Sequence, residues 1–118
     1  MEKKVVLIQD DEHILEIMDH ILSNEGYDVT PSLNTDPIEE IDDINPNVVI
    51  VDEFIKGDKR GTEVIQDLKS DPATEDLSAI LTSTSTELSK KAEQCKADDY
   101  IEKPFDIDHL VDVVKKNT

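Results

Sequence analysis

Four consecutive β-branched residues, Val48-Val49-Ile50-Val51, constrain the fold of this chain more than any other feature. An apolar run without polar alternation reads as a strand buried on both faces, as in a parallel sheet covered by helices on either side. Two further runs are of the same kind: Val5-Val6-Leu7-Ile8-Gln9 near the start and Ala79-Ile80-Leu81-Thr82-Ser83 past the middle. Between the runs, apolar residues recur at helical spacing. Ile14, Ile17, Met18, Ile21 and Leu22 form the first helical face, and Gly26 stops it. Ile38, Ile41 and Ile44 form the second, opened by Asp36 as cap, Pro37 as first helical residue and Glu39 as reciprocal capping partner. Val64, Ile65 and Leu68 form the third, ended by Ser70-Asp71-Pro72. Leu88, Ala92 and Cys95 form the fourth, within 86–96, and Ile107, Leu110, Val111 and Val114 the fifth, capped by Asp106. Two weaker strands complete the series: Tyr27–Pro31, an edge strand by its Asp28 and terminal proline, and Tyr100–Glu102.

A βα unit repeated five times predicts an α/β domain with a parallel sheet covered on both faces and right-handed crossovers. The 118 residues suit a single domain that buries its core without a disulfide or metal staple. Aromatic residues make up 3% and Trp is absent, so that core is aliphatic. The net charge of -17, from 29 acidic and 12 basic residues, leaves no basic footprint for nucleic acid and disfavours an anionic membrane surface. The acidity reads as solvated helix faces. A single cysteine, Cys95, excludes an internal disulfide. No stretch reaches transmembrane length, and Met1-Glu2-Lys3-Lys4 leads directly into a strand without signal-peptide character. A cytoplasmic protein is the simplest expectation.

Three of the strands run into charged residues. The first ends at Asp10-Asp11, the third at Asp52 and the fifth at Lys103-Pro104. In open α/β sheets ligands bind at the carboxyl ends of strands. Carboxylates about 5 Å apart repel by roughly 3 kcal/mol at an effective dielectric of about 20, so such a cluster calls for a cation. Oxygen-only ligation suits Mg²⁺, which also binds phosphate oxygens. Asp52 is then a candidate nucleophile and Lys103 a point charge for phosphoryl oxygens.

The motifs Ile8-Gln9-Asp10-Asp11-Glu12, Val49-Ile50-Val51-Asp52, Leu81-Thr82-Ser83 and Ala97 through Phe105 stand in an order that resembles the receiver domain of bacterial two-component response regulators, over the whole length. The resemblance implies a flavodoxin-like (βα)5 three-layer sandwich with strand order 2-1-3-4-5. It implies that Asp52 accepts a phosphoryl group from a histidine kinase or a histidine phosphotransfer protein. Mg²⁺, with Mn²⁺ as an alternative, would be held by Asp11 directly, Asp10 mainly through water, Asp52 and the backbone carbonyl of Phe54. Lys103, Ser83 and Thr84 would surround the phosphoryl group, Ser83 and Tyr100 would act as the switch pair, and the Lys103-Pro104 peptide would be cis. Strand alternation decides whether Ser83 or Thr82 faces the site; spacing to Lys103 favours Ser83. With no room for an output domain after the last helix, output is expected through a downstream protein target or a phosphorelay.

Some positions depart from the family's pattern. Gln9 replaces an apolar residue, adding a hydrogen bond near the site or changing nothing. The loop Glu53–Gly61 lacks the usual Met-Pro signature and carries Lys56, Lys59 and Arg60, a basic spot that is either solvated or a kinase-docking element. Phe54 and Thr84 are bulky beside the acceptor and are expected to slow attacking water. Lys96 stands where the family has a helix-ending Gly, so that turn is strained or differently shaped. His13, His20 and His109 share no cluster and read as surface residues. Two alternatives are a degenerate receiver that binds partners without phosphorylation and a small Mg²⁺-dependent aspartyl phosphatase. The latter usually separates its two Asp residues by one position and carries a cap domain. A flavin site at Ser83–Thr86 would need glycine.

Overall fold

The computed structural model describes residues 3–55, 57 and 59–118. In chain order the elements are β1 (Lys4–Ile8), α1 (Glu12–Asn24), β2 (Asp28–Ser32), α2 (Asp36–Glu39), α3 (Ile41–Ile44), β3 (Val48–Asp52), α4 (Gly61–Ser70), β4 (Ser78–Ser83), α5 (Leu88–Cys95), β5 (Asp99–Glu102) and α6 (Ile107–Lys116). The strands pair in parallel in the order β2-β1-β3-β4-β5. The proline-bearing β2 takes an edge, and β3 lies at the centre with all five residues buried.

Alternation along the strands divides the core in two. Val5, Leu7, Val48, Ile50 and Ile80 face α1 and α6, joined by Met18, Leu22, Leu110 and Val114. Val6, Ile8, Val49, Val51 and Leu81 face the other way, onto Ile41, Val64, Ile65, Leu68, Leu88, Ala92 and Cys95. The apolar residues of the central strands thus serve one helix layer or the other, which is why these runs carry no polar alternation.

The second helical segment differs from the sequence expectation. It is two four-residue turns, α2 and α3, broken at Glu40, and the expected cap at Asp36 makes no side-chain bond because Thr35 holds the cap position. Asp36, Glu39, Glu40, Asp42 and Asp43 crowd this stretch. Like charges at i,i+4 (Asp36 with Glu40, Glu39 with Asp43) oppose a continuous helix, and acidic groups in its last turn oppose the helix dipole. Asp106 takes the cap position of α6 but likewise makes no side-chain cap bond. Lys96 closes α5 at φ 65, a left-handed conformation that a side chain disfavours, so the turn is the strained one that the missing glycine predicts.

Gly61 is required sterically. A Cβ there would lie 2.0 Å from the backbone oxygen of Asp52. Its N–H donates to the Glu53 carbonyl at 2.9 Å. The start of α4 is therefore pressed directly onto the end of β3.

Candidate functional site

The register of the sheet brings four polar side chains to one point. Ile8 pairs with Val51, which carries Gln9 alongside Asp52, and Asp52 pairs with Thr82. Ser83 pairs with Glu102, and the Lys103 N–H donates to the Ser83 carbonyl at 2.9 Å, which delivers Lys103 to the same end. Asp52 is 3% exposed. A carboxylate so buried demands a counter-charge and hydrogen bonds. It has both: Lys103 Nζ lies 2.5 Å from Asp52 Oδ1, Thr82 Oγ1 donates to the same oxygen at 3.0 Å, and the Phe54 N–H donates to Oδ2 at 3.2 Å. Gln9, fully buried, donates from Nε2 to Thr82 Oγ1 at 2.9 Å and accepts from Lys103 Nζ at 3.4 Å. Gln9 therefore does add a hydrogen bond at the site. Among the described residues, no buried side-chain nitrogen or oxygen lacks a partner.

The hydroxyl bonded to Asp52 in this structure belongs to Thr82, while Ser83, which spacing to Lys103 favours, is bonded elsewhere. Alternation sends Ser83 to the opposite face of the sheet, where its Oγ donates to Glu53 Oε1 at 2.6 Å. Glu53 is also buried, and Lys91 from α5 reaches its other oxygen at 2.6 Å. Burial alone would raise the Glu53 pKa, but the bonds from Lys91 and Ser83, with the charges of Lys91 and Arg60, hold it below its ordinary value. Sequence reasoning missed Glu53 and Lys91. The available signal was a Glu directly after a buried Asp, with two adjacent hydroxyl residues on the neighbouring strand to serve them in turn.

The other anticipated residues lie around this point. Asp10 and Asp11 are exposed. Asp11 is the N-cap of α1, accepting from the His13 and Ile14 N–H groups at 2.9 and 3.3 Å. Thr84 is exposed, Phe54 is 49% exposed with Arg60 5.4 Å above its ring, and Tyr100 is 40% exposed. The Lys103-Pro104 peptide is cis. Of the basic spot, Lys59 is paired with Asp67 at 2.5 Å, and Lys56 lies outside the described residues. The Cys95 thiol is buried, and burial pushes its pKa up, away from reactive thiolate. His13, His20 and His109 are exposed. The carboxylates of Asp10, Asp11 and Asp52 have the hard-oxygen chemistry that Mg²⁺ takes. Among the described residues, however, no three His, Cys, Asp or Glu side chains are gathered as a ready-made metal site.

The fold is a doubly wound α/β sheet with a lysine-paired, buried aspartate at the carboxyl end of its central strand. The profile of the response regulator receiver domain matches residues 5–115, and the chain belongs to that family. Among solved structures, a putative response regulator from Chloroflexus aurantiacus J-10-fl is 22% identical, with a TM-score of 0.91 over 99% of this chain and 98% of that one. The chemotaxis response regulator CheY4 of Vibrio cholerae is 18% identical, with a TM-score of 0.90 over the full length of both. A BeF3-activated DrrB receiver domain is 26% identical, with a TM-score of 0.85 over 99% and 97%. The chain is thus a receiver domain of two-component signalling, from a family that is generally non-catalytic, typically binds Mg²⁺ and works with histidine kinases. Among the described residues, no helix is long and apolar enough to cross a membrane.

Proposed function

We propose that this receiver takes a phosphoryl group onto Asp52 from the phosphohistidine of a histidine kinase or histidine phosphotransfer protein. The observation that carries the reading is Asp52 itself, buried at the end of β3 with Lys103 Nζ at 2.5 Å. An Asp52 carboxylate oxygen forms the new O–P bond while the P–N bond of phosphohistidine breaks, and the imidazole nitrogen leaves with the electron pair. Lys103 offsets the charge of the incoming oxygens, in a reaction governed mainly by positioning and charge neutralisation. Asp10, Asp11, Asp52 and the Phe54 carbonyl would hold Mg²⁺, which would supply further charge neutralisation there.

The acyl phosphate then acts as a switch. Ser83 would leave Glu53 for the phosphoryl oxygens, beside Thr84, and the exposed Tyr100 ring would turn inward. The α5–β5–α6 surface would change shape toward a downstream protein. The test is incubation with Mg²⁺ and acetyl phosphate, followed by intact mass. One phosphoryl adduct is expected on the native chain and none on Asp52→Asn. An unlabelled native chain overturns the reading in favour of a phosphorylation-independent binding module. An adduct retained by Asp52→Asn overturns the site.

A further inference from the structure

Gln9, Thr82, Asp52 and Lys103 come from the ends of four different strands, and their bonds close into a ring. The direction of each bond follows from elementary chemistry. Asp52 Oδ1 can only accept, so the single proton of Thr82 Oγ1 is donated to it at 3.0 Å. Thr82 Oγ1 is left with lone pairs and accepts from Gln9 Nε2 at 2.9 Å. That sets the orientation of the amide and turns its Oε1 toward Lys103 Nζ, at 3.4 Å. Lys103 completes the circuit at Asp52 Oδ1, 2.5 Å away. The reversed amide would point a donor at an ammonium and leave Thr82 without its donor. Gln9 is fully buried, so water cannot replace either bond.

We infer that Gln9 is a positioning residue for phosphoryl transfer at Asp52, setting where Lys103 and Thr82 stand. The inference rests on the function proposed above. When Asp52 gains a phosphoryl group, its carboxylate becomes the uncharged acyl part of a mixed anhydride, the negative charge passes to the phosphoryl oxygens, and the ammonium must re-aim. The Gln9 carbonyl is the acceptor that does not change during the reaction, and it limits how far Lys103 can move. An apolar residue at this position could fill the space but could hold neither neighbour. Preorganised charge of this kind acts on the transfer step itself.

The test compares the native chain with Gln9→Met, which keeps side-chain length but neither bond. Initial rates of labelling by acetyl phosphate with Mg²⁺ are followed by intact mass across donor concentrations, alongside melting temperature. The maximal rate is expected to fall roughly ten-fold, the scale of a lost hydrogen bond to a charged group. The half-saturating donor concentration should change less than two-fold, and the melting temperature should not fall. A merely structural role would lower the melting temperature and leave the rate of the folded protein intact. Equal maximal rates on a labelled native chain would overturn the role of Gln9 alone, whereas a native chain that takes no phosphoryl group would overturn the underlying function. The Gln9 side-chain amide gives a second readout by nitrogen-15 NMR. It should exchange slowly and shift in Thr82→Val, and fast exchange in the native protein would break the ring whatever the kinetics.

Discussion

Two acidic residues adjacent in the chain, Asp52 and Glu53, build opposite kinds of cluster. Both are buried, both accept from a β4 hydroxyl and both are paired with a lysine. Asp52 draws Thr82 and the strand-end Lys103, while Glu53 draws Ser83 and the helix-borne Lys91. The Asp52 cluster sits at the carboxyl ends of the strands, where ligands reach an open sheet. The Glu53 cluster ties the end of β3 to α5. A period of two along neighbouring strands assigns each hydroxyl to its own acid, so like chemistry yields one cluster at the strand ends beside Lys103 and another that joins β3 to α5.

The largest difference should appear on removing each lysine. Lys103→Met is expected to lower the rate of Asp52 labelling by acetyl phosphate about 100-fold or more, as loss of a preorganised charge does. Lys91→Met should stay within about three-fold, because its ammonium pairs with Glu53 and not with Asp52. Equal losses would show that the two clusters are one functional unit.

Glu53→Gln sharpens the structural half of the comparison. It should lower the unfolding free energy by about 1–2 kcal/mol in urea titrations, through loss of charge-assisted bonds to Lys91 and Ser83. The folded Glu53 titrates below its ordinary value of 4.5. Its stabilisation is therefore full above that value and is lost as pH falls through the folded pKa. The gap between native and Glu53→Gln should accordingly close on acidification. A gap that widened toward acid would contradict the assigned ion pair.

The smallest effect belongs to the exposed rim. Asp11 caps α1, so Asp11→Ala should cost about 1 kcal/mol by thermal unfolding. Asp11→Asn should be near neutral in stability, since Asn caps as well, while weakening Mg²⁺ binding. If Asp11→Asn bound Mg²⁺ like the native chain, the metal would be held elsewhere.

Much of the fold and site was legible because it is local. Val48–Val51 announced a doubly buried strand, and the charges after each run marked the strand ends. The halves of the second helix were not legible, because Ile38, Ile41 and Ile44 keep helical spacing while repulsion among neighbouring carboxylates breaks the backbone at Glu40. A count of residues to Lys103 cannot choose between Thr82 and Ser83, because it does not report which face a strand residue takes.

By itself, the sequence determined the parallel α/β architecture, the aliphatic core and the positions of Asp10, Asp11, Asp52 and Lys103 at strand ends, since periodicity and chain order carry these. Only the tertiary structure decided that Thr82 serves Asp52 and Ser83 serves Glu53, that Lys91 reaches Glu53 from α5, and that Gln9 joins Thr82 to Lys103. The physical reason is that a hydrogen bond between separate strands depends on register and facing, which the sheet sets when its strands pair and which no single strand contains.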